Sequence, residues 1–355
     1  MKKALIFDPY LDTLGGGERY ALGVGMALSN LGFSVDVAWH QPDILVQANL
    51  RFGLDYSPLI IRNSVYQVLT LGNTFTKRKL QSEYDLVFYV SDGSLPLMGA
   101  KLNLLHFQVP FKKIGGNFLT NLIKTSQIDY FVYNSHFTSN VVAPQLPLSK
   151  SFVLYPPISV SKFTNQNKKE KLILSVARFD SPSHSKRQDV LIDAFRQLHL
   201  LHPDYRLQLM GGLKGDEDML TNLRSMVGNL PIDIIINPDF QTILAAYQKA
   251  QFFFHAAGFG IDENSNPEVV EHFGIVTVEA MASGCIPVVI DRGGQREIVR
   301  GNCGFLVNSV QEMVAQTSKV ITDQSLSKSL SENAVQRAAD FSEKNFIESL
   351  ATILK

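Results

Sequence analysis

The chain has 355 residues, 45% hydrophobic and 19% charged, which is enough apolar content for two packed cores and too much for a disordered chain. Lys+Arg and Asp+Glu are both 33, so the net charge is zero, which argues against a dedicated nucleic-acid binder. Two cysteines, Cys285 and Cys303, exclude a disulfide framework, a cysteine-built zinc site and an iron–sulfur cluster.

From the amino terminus, Met1-Lys2-Lys3 precedes the apolar run Ala4-Leu5-Ile6-Phe7. That run stops at Asp8, short of the roughly 7–15 residues a secretory signal needs. No apolar run reaches the ~18 residues of a membrane span, and the expected location is the reducing cytosol. Short runs rich in β-branched and aromatic residues predict strands at 4–8, 34–39, 85–90, 103–107 and 130–133. Helical periodicity falls between them at 18–31, 117–126 and 135–142. Tyr155-Pro156-Pro157 then breaks the chain, and the polar stretch 159–171 reads as a linker. A second series follows, with strands at 172–177, 206–210, 232–236, 252–255 and 286–290. Its helices are expected at 188–201, 216–227, 242–249 and 275–282, with two more near 325–339 and 343–354. Strand–helix alternation predicts two doubly wound α/β domains with parallel sheets, and ligands bind such sheets at the carboxyl ends of the strands.

Three clusters carry chemistry. Gly15-Gly16-Gly17-Glu18 opens a helix after the first strand, where glycines expose backbone amides at a positive helix end. That suits a phosphate, and a plain tight turn is the alternative. The spacing is not the dinucleotide fingerprint, and Asp36 lies inside its strand. Next, Arg178 ends a strand and Lys186-Arg187 opens the following helix. Two cations there hold a diphosphate, or they are merely surface charges. The third cluster runs from Glu271 through His272, Phe273, Gly274, Ile275, Val276, Thr277 and Val278 to Glu279. The free amides near Ile275 and Val276 form an anion site, and the two carboxylates suit paired sugar hydroxyls. A solvated helix start is the bland reading.

The E-x7-E spacing of Glu271 and Glu279 resembles that of retaining GT-B glycosyltransferases, in particular their large family 4. The resemblance runs nearly end to end. It includes Asn134-Ser135-His136-Phe137-Thr138, Tyr155-Pro156-Pro157-Ile158, Met210-Gly211-Gly212, Gly293-Gly294-Gln295-Arg296-Glu297 and Asn302-Cys303-Gly304-Phe305-Leu306-Val307.

The resemblance implies an acceptor domain over 1–157, with helix 342–355 packing back on it, and a donor domain over 158–341. It further implies a metal-independent transferase, without a cofactor, that takes a GDP- or UDP-linked sugar as donor. The Gly15–Arg19 loop and the Glu271–Ile275 wording look closest to enzymes using GDP-mannose. Arg178 and Lys186 resemble the diphosphate-binding pair, although they are eight residues apart where five is usual. The insert 180–185 fills the gap and leaves Arg187 as a rival to Lys186. Glu279 resembles the ribose-binding acid, and Glu271 the acid on the transferred sugar. The amides after Phe273 and Gly274, at Ile275 and Val276, would hold phosphate, while Gly16 and Gly17 match the loop that closes on the diphosphate. His106 matches a histidine that contacts donor sugar or acceptor, against the alternative of a satisfied core residue. A sugar-nucleotide 2-epimerase and a non-catalytic nucleotide-sugar binder share the architecture. The E-x7-E spacing disfavours the first, and the intact set of Arg178, Lys186, Glu271 and Glu279 disfavours the second.

Two further stretches stand out. Residues 258–270 form a long acidic, Gly/Asn-rich insertion, either a lid or a solvated loop. Residues 62–124 hold eight basic and three acidic side chains, and 109–124 mixes Lys112, Lys113 and Lys124 with Phe111, Ile114, Phe118, Leu119, Leu122 and Ile123. That stretch reads either as a rim docking on an anionic membrane near a glycan or lipid-linked acceptor, or as a helix whose apolar face packs on the sheet.

Overall fold

The computed structural model describes residues 1–147, 150–163, 168–179, 186–213 and 217–354. The chain divides into two compact units, Met1–Pro157 with Glu343–Lys355, and Ile158–Ser342.

In chain order the first unit comprises β1 (Lys2–Phe7), α1 (Gly16–Asn30), β2 (Phe33–Val37), α2 (Ile44–Phe52), β3 (Ile60–Ile61), α3 (Asn63–Leu71), α4 (Thr74–Gln81), β4 (Leu86–Val90), β5 (Leu102–Phe107), α5 (Phe118–Thr125), β6 (Tyr130–Tyr133), α6 (His136–Val142) and β7 (Ser151–Val153). These strands form one parallel sheet in the order β3-β2-β1-β4-β5-β6-β7. Central strands such as Leu-Val-Phe-Tyr-Val of β4 are apolar almost throughout, because a parallel sheet is covered on both faces. One face packs Tyr20, Leu28, Ile44 and Ala48 together with Phe346 and Leu350 from the carboxyl-terminal helix. The other packs Val65, Leu69, Leu95, Met98 and Ile114.

The second unit comprises β8 (Glu170–Val176), α7 (Gln188–Leu201), β9 (Arg206–Gly211), α8 (Glu217–Val227), β10 (Ile232–Ile236), α9 (Phe240–Lys249), β11 (Ala250–His255), α10 (Ile275–Ala282), β12 (Ile286–Ile290), α11 (Gln295–Ile298), β13 (Phe305–Val307), α12 (Val310–Thr322) and α13 (Gln324–Ala338). Its parallel sheet has the order β10-β9-β8-β11-β12-β13. The last helix, α14 (Glu343–Ile353), belongs to the first unit, where Phe346 meets Tyr20 edge-on at 5.9 Å.

Two doubly wound parallel sheets are therefore present, with strands and helices near the expected places. Several elements lie outside the expectation: α2, α3, α4, α11, α12 and the short strands β3, β7 and β13. The stretch 159–171 is not simply a linker. Ile158 and Phe163 are buried, Phe163 stacks edge-on against Tyr247 at 5.7 Å, and β8 already starts at Glu170. Residues 164–167, which include part of that stretch, lie outside the described residues. Asp36, within β2, accepts from Arg62 Nε at 3.0 Å and from the Tyr84 hydroxyl at 2.9 Å. No helix among the described residues is long and apolar enough to cross a membrane.

Candidate functional site

In the second sheet the chain runs outward from β8 to β9 and β10, then returns to place β11 on the other side of β8. The carboxyl ends of β8 and β11 thus flank the topological switch point, where open α/β sheets bind ligands. Arg178 lies two residues beyond β8 and is exposed. His255 is the last residue of β11 and is buried.

The Glu271 carboxylate is held from two sides. Its Oε2 accepts from Lys186 Nζ at 2.9 Å and lies 2.8 Å from His255 Nε2. Burial pushes this carboxyl upward in pKa, but the Lys186 charge and the His255 hydrogen bond outweigh it and hold the group well below the usual carboxylate range. Glu271 is therefore an ionised, oriented carboxylate in a partly desolvated setting. His255 is fixed in turn by the sheet, and its Nδ1 is buried without a partner among the described residues.

The backbone that carries Glu271 rests on the Gly293-Gly294 turn after β12. The Gly294 amide donates to Glu271 O at 2.8 Å. A Cβ on Gly294 would stand 2.4 Å from His272 O and 2.5 Å from Phe273 Cα, so only glycine allows this approach. Gly274 precedes α10 with φ 116°, a left-handed conformation that side chains resist. Helical hydrogen bonds start at Thr277, whose amide donates to Gly274 O at 3.0 Å, and no side chain caps the helix. The amides of Ile275 and Val276 precede that ladder and present positive charge to an anion. One turn on, Glu279 is 5% exposed and its Oε2 lies 3.2 Å from the Tyr247 hydroxyl, which is also 3.3 Å from Val276 O. Phe273 is buried edge-on against Phe341 at 5.4 Å, so its ring serves the core.

Lys186 and Arg187 separate in role. Arg187 adopts φ 54°, donates to both oxygens of Asp189 and to Phe259 O at 2.9 Å, and stacks over the Phe259 ring at 5.5 Å. Its guanidinium thus ties α7 to the 258–270 segment, and Lys186 is the cation beside Glu271. The insert 180–185 lies outside the described residues. The 258–270 segment is anchored rather than loose. Glu263 accepts from the Gly293 amide at 2.8 Å and pairs with Arg296, Arg292 donates to Ile261 O at 3.1 Å, and His272 contacts Glu268 O at 2.9 Å. Asp262 accepts from the Asn264 amide and the Ser265 hydroxyl. Asn237, directly after β10, takes φ 50° and accepts from the Leu213 amide at 3.0 Å. Asparagine tolerates that conformation better than most side chains.

In the first unit Gly16 and Gly17 form the first turn of α1, between the ends of β1 and β4 at that sheet's own switch point. Glu18 reaches back to accept from the Gly15 amide at 2.6 Å. Asp8, directly after β1, is 1% exposed. Its Oδ1 accepts from the Tyr10 amide at 2.9 Å, while Oδ2 is buried without a partner among the described residues. Burial first, then the charges of Glu18 and Asp12, push this carboxyl up to about 7. Amides and acids therefore meet at this loop.

His106 is a core residue. It is fully buried, stacked on Tyr20 at 4.3 Å and near Phe88 at 5.4 Å, with Nδ1 3.0 Å from Val132 O and Nε2 2.8 Å from the Gln108 side chain. Burial lowers its pKa to about 4, so the ring is neutral. The expectation of a substrate-touching His106 gives way to a histidine that positions Gln108, whose side chain packs over Gly17. The structure thus brings Lys186, Glu271, Gly274, Ile275, Val276 and Glu279 together in one unit, and Gly16, Gly17 and His106 in the other. Sequence reasoning did not single out Asp8, Gln108 or Tyr247, nor His255 as the partner of Glu271. The one signal for Asp8 and His255 was their place directly at a strand's carboxyl end.

Comparisons with known proteins agree with this architecture. The family described as Glycosyl transferases group 1 matches residues 159–337, half of the chain. The Dictyostelium discoideum GDP-Man:Man(3)GlcNAc(2)-PP-Dol alpha-1,2-mannosyltransferase is 31% identical over 225 residues, covering 58% of this chain and 42% of that protein. The chain thus spans less than half the length of that relative. The phosphatidyl-myo-inositol mannosyltransferase of Mycolicibacterium smegmatis is 24% identical over 349 residues, covering 90% of this chain and 84% of that protein. Among solved structures, a glycosyltransferase from Rickettsia africae superposes with a TM-score of 0.77 at 18% identity, covering 100% of this chain and 99% of that one. Anabaena HepE in complex with UDP superposes with 0.75 at 17% identity, with coverage of 100% and 99%. These likenesses establish the GT-B fold.

Proposed function

The chain belongs to the Glycosyl transferases group 1 family, and on that premise we propose that it transfers a sugar, mannose in our reading, from a nucleoside diphosphate donor to a glycan or lipid-linked acceptor with retention at the anomeric carbon. The observation that carries this reading is the Glu271 carboxylate, ionised and oriented by Lys186 and His255 one residue pair before an uncapped helix start. In this reading the diphosphate lies over the amides of Ile275 and Val276, with Arg178 and Lys186 as its cations. Glu279, steadied by Tyr247, takes the ribose hydroxyls, and Glu271 takes the hydroxyls of the transferred sugar.

The chemistry follows from charge. As the bond between the anomeric carbon and the phosphate oxygen breaks, negative charge grows on the diphosphate, where preorganised cations and amides stabilise it. The acceptor oxygen bonds to the same face, and its proton passes to the departing phosphate oxygen, so no carboxylate serves as covalent nucleophile and no metal is invoked. The mannosyltransferase names of two relatives support mannose and a lipid-linked acceptor. Cys285 and Cys303 are buried free thiols, which fits a cytoplasmic setting.

The test is a panel of GDP-, UDP- and ADP-linked sugars, with nucleoside diphosphate release followed for wild-type protein and Glu271→Gln. Release from GDP-mannose that is lost in the variant is expected. No release from any donor, together with no binding of any nucleoside diphosphate, would overturn the reading.

A further inference from the structure

Helix α5 exposes three large apolar side chains while burying two polar ones. At its spacing Phe118, Leu119, Leu122 and Ile123 fall on one broad arc, and Asn121 and Thr125 lie together along the edge next to Phe118. That polar edge is the buried one. Asn121 donates to Gly115 O at 3.1 Å, and Thr125 is 2% exposed. Of the apolar arc, Phe118 is 69%, Leu119 71% and Ile123 59% exposed, while Leu122 is half-buried. Phe118, Leu119 and Ile123 therefore do not pack on the sheet.

A second apolar pair stands on the same side of the sheet. Leu71 closes α3 and Phe75 opens α4, and they are 85% and 76% exposed. Contacts run continuously from α4 to α5. The Gly99 amide donates to Gln81, the last residue of α4, at 3.1 Å. The Gly115 amide donates to Gly93 O at 2.8 Å, and Asn121 holds Gly115. Phe111 and Ile114, between these points, belong to the core that also holds Val65 and Leu69 of α3.

The charge along these segments is mainly positive, with Glu83, Asp85 and Asp92 falling between them. Lys77, Arg78 and Lys79 lie on α4, Lys112 and Lys113 precede α5, and Lys124 ends it. Neither 56–82 nor 93–128 contains a single Asp or Glu. Exposed aromatic and aliphatic side chains ringed by lysines match a bilayer surface, where apolar groups enter the acyl boundary and cations meet anionic headgroups. A second copy of the chain fits poorly, because it would press like charges together.

We propose that the α4–α5 face of the first unit is a docking surface for an anionic lipid bilayer, with Phe118, Leu119 and Ile123 inserted and Lys112, Lys113 and Lys124 on headgroups. The proposal deepens the reading of a lipid-linked acceptor, and its test uses neither donor nor acceptor.

The full chain is sedimented with vesicles of phosphatidylcholine alone and with phosphatidylglycerol added. Binding to the anionic vesicles only, weakening with salt, is expected. Each Lys removed should weaken partitioning about fivefold, so Lys112→Glu/Lys113→Glu/Lys124→Glu should lose roughly a hundredfold or more. Phe118→Ser/Leu119→Ser/Ile123→Ser should abolish sedimentation while keeping the wild-type melting profile, because all three side chains are exposed. A Phe118→Trp variant reports insertion directly. The native Trp39 is the only tryptophan and is buried, so a blue shift with anionic vesicles reads position 118. No sedimentation with anionic vesicles at low salt, equal binding to neutral ones, no blue shift, or a stable dimer that the triple serine variant dissolves would each overturn the proposal. Nucleoside diphosphate binding, measured by calorimetry on the same variants, stays at the wild-type level. Failure there would count against the transferase reading instead.

Discussion

His255 and Glu271 meet at 2.8 Å, and the atom they share, Glu271 Oε2, is the one that Lys186 also reaches at 2.9 Å. Both protein contacts thus fall on one oxygen. Among the described residues Oε1 has no protein partner, so in the proposed function it is the oxygen that would meet a sugar hydroxyl. Glu271→Gln keeps the volume and removes the charge. We expect kcat to fall roughly a hundredfold or more with donor affinity much less changed, by analogy with loss of one preorganised electrostatic contact. Steady-state kinetics with the preferred donor checks this, and wild-type turnover would discard the role.

The same pair makes a stability prediction. The folded Glu271 carboxyl titrates well below its ordinary 4.5, so its ionisation stabilises the fold above that value, and the contribution disappears as pH falls toward the folded value. Urea melts of wild type and Glu271→Gln should differ most above about pH 5 and converge in acid. A constant difference down to the acid limit would mean that the carboxylate is not paired in solution.

Arg178→Ala and Lys186→Ala should each weaken nucleoside diphosphate binding by about 1.5–3 kcal/mol, the usual scale of a charge-assisted contact. Arg187→Ala should change that affinity little, because its guanidinium is engaged by Asp189 and Phe259. It should lower the melting temperature instead. Calorimetry that found Arg187→Ala the most damaging of the three would reverse the assignment of the two neighbouring cations.

Much of this site was legible in the residues, and the limits were physical. Apolar runs bounded by Gly and Pro marked the central strands, and chemistry clusters at their ends, so Arg178, Lys186, Glu271 and Glu279 could be found. Periodicity gave α5 its shared arc but not its direction. Asn121 and Thr125 go inward because Asn121 satisfies the Gly115 carbonyl, a tertiary contact that no local pattern encodes. Strands of two or three residues, such as β3 and β7, are too short to show a period. His106 at a strand end resembled a ligand contact, and only the stack with Tyr20 and the contacts to Val132 and Gln108 reveal a core residue.

Gly294→Ala should destabilise the second unit by about 1–3 kcal/mol, the scale of an overpacked site, because the new Cβ meets backbone rather than a movable side chain. The displaced segment carries Glu271, so turnover should fall with stability. Equilibrium denaturation that leaves the variant unchanged would show that the 271–274 backbone does not need this turn.

Asp8 should make the fold less stable as pH rises. Its folded carboxyl titrates at about 7 against an ordinary 3.8, so the unfolded chain releases the proton first, and the fold loses stability between those values. The full cost is at most roughly 4 kcal/mol. Asp8→Asn can still accept from the Tyr10 amide and never ionises. Thermal melts should show it more stable than wild type at pH 8 and equal at pH 4. An equal gain at both values would remove ionisation as the cause.

His106 makes the opposite prediction for acid. Burial holds its ring neutral down to about 4, whereas an unfolded histidine takes up its proton near 6.5. The unfolded chain therefore binds one more proton across that window, and stability falls as pH drops from 6.5 to 4. Each pH unit within it costs about 1.4 kcal/mol for one proton. His106→Gln keeps a donor for the Val132 carbonyl and removes the titration, at some loss of stacking on Tyr20. Urea midpoints from pH 4 to 8 should thus give a shallower acid slope for the variant, even if its stability at pH 8 is lower. A buried neutral His106 also puts no inflection near 6.5 in the pH profile of kcat/KM. Identical acid slopes in the two proteins, or a rate limb near 6.5 that vanishes in His106→Gln, would show that the ring takes up a proton in the working protein.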